Sequence, residues 1–117
     1  MSDNWPDIDG IDTNEVRRLL QDDLELFTEV AIEFAEENAP GLQSAEQVLE
    51  GDDETARKRM HRLRGQASSI AATDLVAAIR TVEAILKGEQ DGDRNAAAQA
   101  VIDAFGSLNS NIHATLS

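Results

Sequence analysis

The sequence predicts an all-α fold, an antiparallel four-helix bundle with an additional short N-terminal helix. Of its 117 residues 41% are hydrophobic and only 3% are aromatic, with no Cys and no Tyr. A chain rich in Ala, Leu, Glu and Arg favours helix over sheet. Apolar residues also recur at three- and four-residue spacing in segments that are joined by short connections, as in a bundle. A chain of this length forms a single domain.

The first half of the chain contains an extended start and two predicted helices. Residues 1–11 are expected to be extended, and a short helix is predicted over 12–20 because Asp12 and Glu15 resemble a capping box. A longer helix is predicted over 22–50. Its apolar stripe resumes after Pro40 without a polar loop, so we expect one helix kinked near Pro40, the alternative being two separate helices.

Three more helices are predicted in the second half, over residues 53–70, 73–87 and 94–115. Acidic residues before the first of them are typical N-caps, and Thr73 is expected to cap the second. Gly88 follows the second helix and is expected to end it. These segments complete the four long helices of the predicted bundle.

The charge of the chain is strongly negative and unevenly distributed. The net charge is −13, yet residues 57–65, with the sequence RKRMHRLRG, contain five of the ten basic residues and a histidine. A body this acidic repels a phosphate backbone, which disfavours general nucleic-acid binding. The basic segment therefore requires another explanation.

The helical period places this histidine on the surface. In the predicted helix over 53–70, one stripe of apolar residues marks the core: Ala56, Met60, Leu63, Ala67 and Ile70. At 100° per residue, His61 lies about 140° from that stripe and Gly65 about 180° from it. Arg64 and Ser68 lie on the same side as His61. A glycine inside a helix costs about 1 kcal/mol relative to Ala, so Gly65 is expected to clear space for a molecule that approaches His61.

The stretch HRLRGQASSIAA, residues 61–72, resembles the motif of histidine-containing phosphotransfer (Hpt) domains, in which His is followed by Leu, Lys and Gly and then by small residues. The resemblance extends to WPDID near the N-terminus, to the region before His61, and to the following helix with its Val82-Glu83 pair. Two residues depart from the pattern, because Arg64 stands where Lys is usual and Ala71 where Gly is usual. The resemblance covers most of the chain.

This resemblance implies a stand-alone phosphotransfer protein of a two-component phosphorelay, a phosphocarrier without an ATP site of its own. His61 would accept a phosphoryl group from an aspartyl phosphate of one receiver domain and pass it to an Asp of another. The expected partners are the receiver domains of a hybrid sensor histidine kinase and of response regulators. No cofactor or metal site is expected in the chain itself, because the Mg²⁺ used in transfer belongs to the receiver.

The basic residues near His61 acquire roles in this interpretation. Positive charge disfavours the imidazolium, so we expect Arg57 and Arg64 to help keep His61 neutral before attack and to stabilise the phosphoryl charge during it. Arg57, Lys58 and Ser68 are expected to contact the partner.

Two other functions remain open, a receiver-binding module that transfers no phosphate and, less favoured, a helical nucleic-acid-binding module. With no apolar segment of transmembrane length and no signal peptide visible, we expect a cytoplasmic monomer that contacts no membrane.

Overall fold

The computed structural model describes residues 5–117 and is helical without strands over that range, which confirms the all-α fold class. Four long helices form the bundle, and two short helices accompany them. The helices are α1 Thr13–Leu19, α2 Leu24–Asn38, α3 Ala45–Val48, α4 Asp53–Ser69, α5 Thr73–Leu86 and α6 Arg94–Leu116. None of the helices in the described part of the chain is long and apolar enough to cross a membrane.

The apolar stripes of the four long helices meet in one core. Helix α6 packs against α2, α3 and α5, and α5 also packs along α4. Phe34 of α2 and Phe105 of α6 meet edge to face, with ring centroids 6.0 Å apart. The largest side chains that are fully buried come from all parts of the fold: Val16, Phe27, Val48, Met60, Ile70, Leu75, Ile79, Val82, Val101 and Ile112. Burial of each such side chain stabilises the fold by about 1.5–3 kcal/mol.

The prediction of a single kinked helix over 22–50 is wrong, because the helix is interrupted at Pro40. Helix α2 ends at Asn38, residues 39–41 form one 3₁₀ turn, and α3 begins only after Ser44. Proline has no N–H group to continue the helical hydrogen bonds. The side chain of Gln47 stabilises the break, since its amide donates to the Pro40 carbonyl (3.0 Å) and its oxygen accepts from the Gln43 N–H (2.7 Å).

The N-terminal segment packs on the bundle ahead of α1. Ile8 and Ile11 are buried, and the Trp5 ring stacks on Phe27 with centroids 5.3 Å apart. The Asp12 carboxylate accepts a hydrogen bond from the Glu15 N–H (3.1 Å), as expected of the N-cap of α1. Residues 1–4 of the extended segment predicted over 1–11 lie outside the described residues.

A tight turn at residues 70–72 joins α4 to α5 as a helical hairpin. Ala71 has φ +54°, in the left-handed region, and the N–H groups of Ala71 and Ala72 close the turn on the carbonyls of Ser68 and Ala67. This left-handed conformation accounts for the glycine that is usual at position 71. The predicted Thr73 cap is wrong, because Thr73 is already inside α5 and the N-cap residue is Ala72, whose side chain has no hydrogen-bonding group.

Four polar contacts connect α4 to its neighbours. Asp53 binds Arg94 at the start of α6 (2.9 Å), and Gln66 accepts from Asn38 at the end of α2 (3.1 Å). Arg59 donates to the carbonyls of Gln47 and Val48 at the end of α3, and Arg64 binds Glu83 of α5. The helix that contains the basic segment is therefore attached to α2, α3, α5 and α6.

Candidate functional site

His61 lies on the outer face of α4, as the helical period predicts. Its side chain is 73% exposed, whereas the five residues of the predicted core stripe are all buried. The stripe forms because the spacing of four and three residues keeps those side chains on the side of α4 that faces the bundle. The imidazole is thus presented to solvent by a helix that is itself well anchored.

A charged pair between α4 and α5 holds the inner edge of the His61 ring. Arg64 donates from Nε to Oε1 of Glu83 (2.5 Å), and its Nη2 lies 3.0 Å from Nδ1 of His61. Nη2 is also 3.4 Å from Glu83 Oε2, which in turn lies 3.7 Å from Nδ1 of His61. Because the guanidinium can only donate, Nδ1 is the acceptor in this arrangement and the neutral ring carries its proton on Nε2. Nδ1 is therefore occupied, and Nε2 is the ring nitrogen left for an incoming group.

Glu83 is the buried member of this group. Its side chain is only 6% exposed, against 27% for Arg64. A carboxylate removed from water is expensive unless it is paired and hydrogen-bonded, and Arg64 supplies both the charge and the donors. The pair therefore fixes the position of Arg64 beside His61.

A cavity of about 310 Å³ opens beside the His61 ring, between α4 and α5. It is lined by Arg57, Lys58, His61, Glu83 and Lys87. Arg57 and Lys58 lie on α4 one turn before His61, as the sequence predicts, and Lys87 follows the last residue of α5. The cavity thus brings three basic side chains next to the exposed histidine.

The remaining predicted site residues lie on the other side of His61 along α4. Gly65 is exposed, and a Cβ atom built on it meets no other atom within 4 Å. Ser68 is also exposed but does not line the cavity. The space above Gly65 is therefore open, while Ser68 lies about two turns from His61.

Sequence reasoning did not place Glu83 or Lys87 in this site. Both come from α5, and the spacing of residues along α4 carries no information about them. One signal was present, since Glu83 lies only about 70° from the centre of the apolar stripe of α5. A carboxylate so close to a core-facing stripe requires a buried partner.

The described residues include no group of three or more His, Asp or Glu side chains placed to hold a metal ion. The other histidine of the chain, His113, is half-buried, and its Nδ1 contacts the Ser117 hydroxyl (3.0 Å). It therefore lacks the exposed and basic setting of His61.

Comparison with known proteins identifies a family for most of the chain. The family model described as "Hpt domain" matches residues 29–115. The matched range contains α4, α5 and Lys87, and therefore every residue that lines the cavity. No curated protein and no solved structure matches the chain.

Proposed function

Because the chain belongs to the Hpt domain family, whose members are phosphocarrier modules of two-component phosphorelays, we propose that His61 is the residue that carries the phosphoryl group. In this proposal His61 accepts the group from an aspartyl phosphate of one receiver domain and delivers it to an Asp of another. The first receiver belongs to a hybrid sensor histidine kinase and the second to a response regulator.

The observation that carries the proposal is the asymmetry of the His61 ring. Its side chain is 73% exposed, but its Nδ1 edge is turned to Arg64 and Glu83. A ring held on one nitrogen presents the other nitrogen in a defined direction, as a nucleophile that must attack in line requires. An exposed histidine with a purely structural role needs no such support.

The transfer step balances without a net external proton. Because Arg64 donates to Nδ1, the resting ring carries its proton on Nε2, so the ring must first change tautomer. Nε2 releases its proton to water and Nδ1 takes one up from water, and the Nδ1 proton can then bond to Glu83 Oε2, 3.7 Å away, once Arg64 gives up its own contact. The Nε2 lone pair forms the N–P bond while the P–O bond to the receiver aspartate breaks, and that electron pair leaves on the carboxylate. In the second transfer a carboxylate oxygen attacks phosphorus, the N–P bond breaks, and the neutral ring is restored.

The other predicted residues act around this step. Arg64 orients the ring, and those of its N–H groups that do not bind Glu83 or His61 face the incoming phosphoryl oxygens. Gly65 leaves room for the receiver, and Arg57, Lys58 and Ser68 contact it. The Mg²⁺ that transfer requires belongs to the receiver, and we expect the protein to act as a cytoplasmic monomer.

The decisive experiment mixes the protein with a receiver domain that carries labelled aspartyl phosphate. We expect acid-labile, base-stable label on the wild type and none on His61→Gln, with His113→Gln labelled like the wild type. Arg64→Ala should still be labelled at His61, but about tenfold more slowly, because it loses one charge-assisted hydrogen bond to the phosphoryl group.

Other outcomes would identify the alternatives. Label that persists in His61→Gln would refute the site. Binding to the receiver without label on the wild type would identify a module that does not transfer phosphate. The net charge of −13 disfavours a nucleic-acid-binding module, which would instead show affinity for a nucleic acid that falls steeply with salt.

A further inference from the structure

The cavity beside His61 is bordered by two basic side chains in matching positions on two helices. Arg57 precedes His61 by four residues on α4. Lys87 comes four residues after Glu83, the residue of α5 that contacts Arg64. Because α4 and α5 form an antiparallel hairpin, both cations lie one turn away from the ring in the same direction. They border the cavity on the side of the ring opposite Gly65.

Most charged groups near this cavity are already balanced. Glu83 is engaged by Arg64 (2.5 Å), and Lys58 pairs with Glu54 (3.4 Å). Arg94 engages Asp53, and this hydrogen bond lowers the pKa of the Asp53 carboxyl. Glu89, which lines a neighbouring cavity together with Arg57 and Lys87, is the nearby carboxylate that forms no ion pair among residues 5–117.

Among the cations that line the cavity, Arg57 and Lys87 are the ones without an ion pair. Within residues 5–117 neither side chain forms a hydrogen bond or an ion pair. In a chain with 23 acidic and 10 basic residues, two unbalanced cations on one cavity are an unusual concentration of positive charge. The cavity, at about 310 Å³, also has ample room for a phosphoryl group.

We propose that Lys87 and Arg57 form the oxyanion site for the phosphoryl group bonded to His61. The inference rests on the proposed function and extends it beyond α4. Lys87, at the end of α5, supplies positive charge to the phosphoryl group that Arg64 cannot fully supply. The charge of Arg64 is offset by the buried Glu83, whereas neither Lys87 nor Arg57 forms an ion pair with a carboxylate of residues 5–117, although Glu89 lies near both. Two cations balance the two negative charges of a phosphoryl dianion.

The test uses a readout that does not depend on a receiver. In a His113→Gln background, so that one histidine remains, phosphoramidate transfers its phosphoryl group to His61 and releases ammonia. The ³¹P resonance of the phosphohistidine is then titrated with pH. A nearby cation favours the dianion, so Lys87→Ala and Arg57→Ala should each raise the pKa of the phosphoryl group by about half a unit.

Matched variants separate a local site from long-range charge. Lys87→Arg keeps the cation and should keep the wild-type titration midpoint. Arg80→Ala removes the same charge from α5 at a residue two turns before Lys87 that does not line the cavity, and it should also leave the midpoint unchanged. In transfer from a phosphorylated receiver, Lys87→Ala should be about fivefold slower than Arg80→Ala. This loss of rate is smaller than the one expected when a full charge-assisted hydrogen bond is removed.

The inference fails if Lys87→Ala titrates like the wild type, or if Arg80→Ala shifts the midpoint equally. Either result leaves the proposed function intact as long as label appears on His61. Absence of label on His61 from a phosphorylated receiver refutes the proposed function instead, while the ³¹P titration still reports on the cations around the ring.

Discussion

Gly65 occupies an exposed position inside α4, where alanine would be a better helix former. Since a Cβ atom at this position meets nothing within 4 Å, the fold gives no reason for glycine. We therefore expect Gly65→Ala to raise the free energy of unfolding by about 1 kcal/mol. The added methyl group projects into the space that a receiver must enter, and overlap of this kind costs about 1–3 kcal/mol, so phosphotransfer should slow by about tenfold or more.

Gly106 provides a control for this prediction. It is an exposed glycine inside α6, where a Cβ atom would also lie in open space, and α6 contributes no residue to the His61 cavity. Gly106→Ala should stabilise the protein by a similar amount in urea unfolding and leave the transfer rate unchanged. Equal transfer rates for the two variants would show that Gly65 is not kept for access.

The residues of the site differ in how far the sequence could predict them. The position of His61 follows from the helical period, because the core stripe of α4 fixes which face is exposed. The hydrogen bond from Arg64 to Nδ1 does not follow, since it depends on Glu83, which lies 19 residues further along the chain. Lys87 could not be found from α4 at all, because only the pairing of α4 with α5 brings it to the cavity.

At the scale of elements, the ends of helices, apart from the cap of α5, were easier to predict than the break between α2 and α3. Asp12 and Gly88 act as expected, the first by accepting from the Glu15 N–H and the second with φ +76° directly after the C-cap residue Lys87. At Pro40 the apolar stripe was misleading. Leu42 and Val48 are buried as a continuous helix would require, yet the backbone reaches them through a 3₁₀ turn and a second start at Ser44.

The cap at the start of α4 makes a pH-dependent contribution to stability. Asp52 accepts a hydrogen bond from the Thr55 N–H (2.8 Å), and its hydrogen bonds with Thr55, first through the side chain, lower its pKa from the ordinary 3.8. A carboxyl whose pKa is lowered in the folded state stabilises the protein above its unfolded pKa, and this stabilisation is lost as the pH falls through the folded value. Stability should therefore decline below about pH 4, the region of that unfolded value.

Asp52→Asn isolates this contribution. Asparagine caps a helix about as well as aspartate does, so stability at pH 7 should change little, while the decline between about pH 4 and pH 2 should be shallower than in the wild type. Urea unfolding at a series of pH values measures both. Asp91→Asn serves as the control, since Asp91 lies in the α5–α6 loop outside any helix, and an equal flattening in that variant would contradict the role of the cap.

For the whole molecule, the net charge of −13 is the dominant electrostatic property. Part of it lies in one row on α2, where Glu25, Glu29, Glu33 and Glu37 follow each other at four-residue spacing and are all exposed. Like charges at this spacing destabilise a helix, and a large net charge destabilises any compact state.

Salt should therefore stabilise the protein. We expect Tm to rise by about 5 °C between roughly 0.02 M and 0.5 M NaCl, as screening removes about 1 kcal/mol of repulsion. A variant in which Glu29 and Glu33 are replaced by Gln should begin with a higher Tm and gain less from salt. A Tm independent of salt in both proteins would show that the acidic surface exerts no net strain on the fold.

The four contacts that attach α4 to α2, α3, α5 and α6 have a consequence for how a partner meets this surface. A helix attached to four neighbouring helices has little freedom to change its conformation. The entropic cost of ordering His61 is therefore met during folding and not each time a receiver binds. The adjustments that bring the reacting atoms into line then fall to the loops of the receiver. In hydrogen exchange the amides of α4 should be among the slowest of the protein and should keep their rates when a receiver binds.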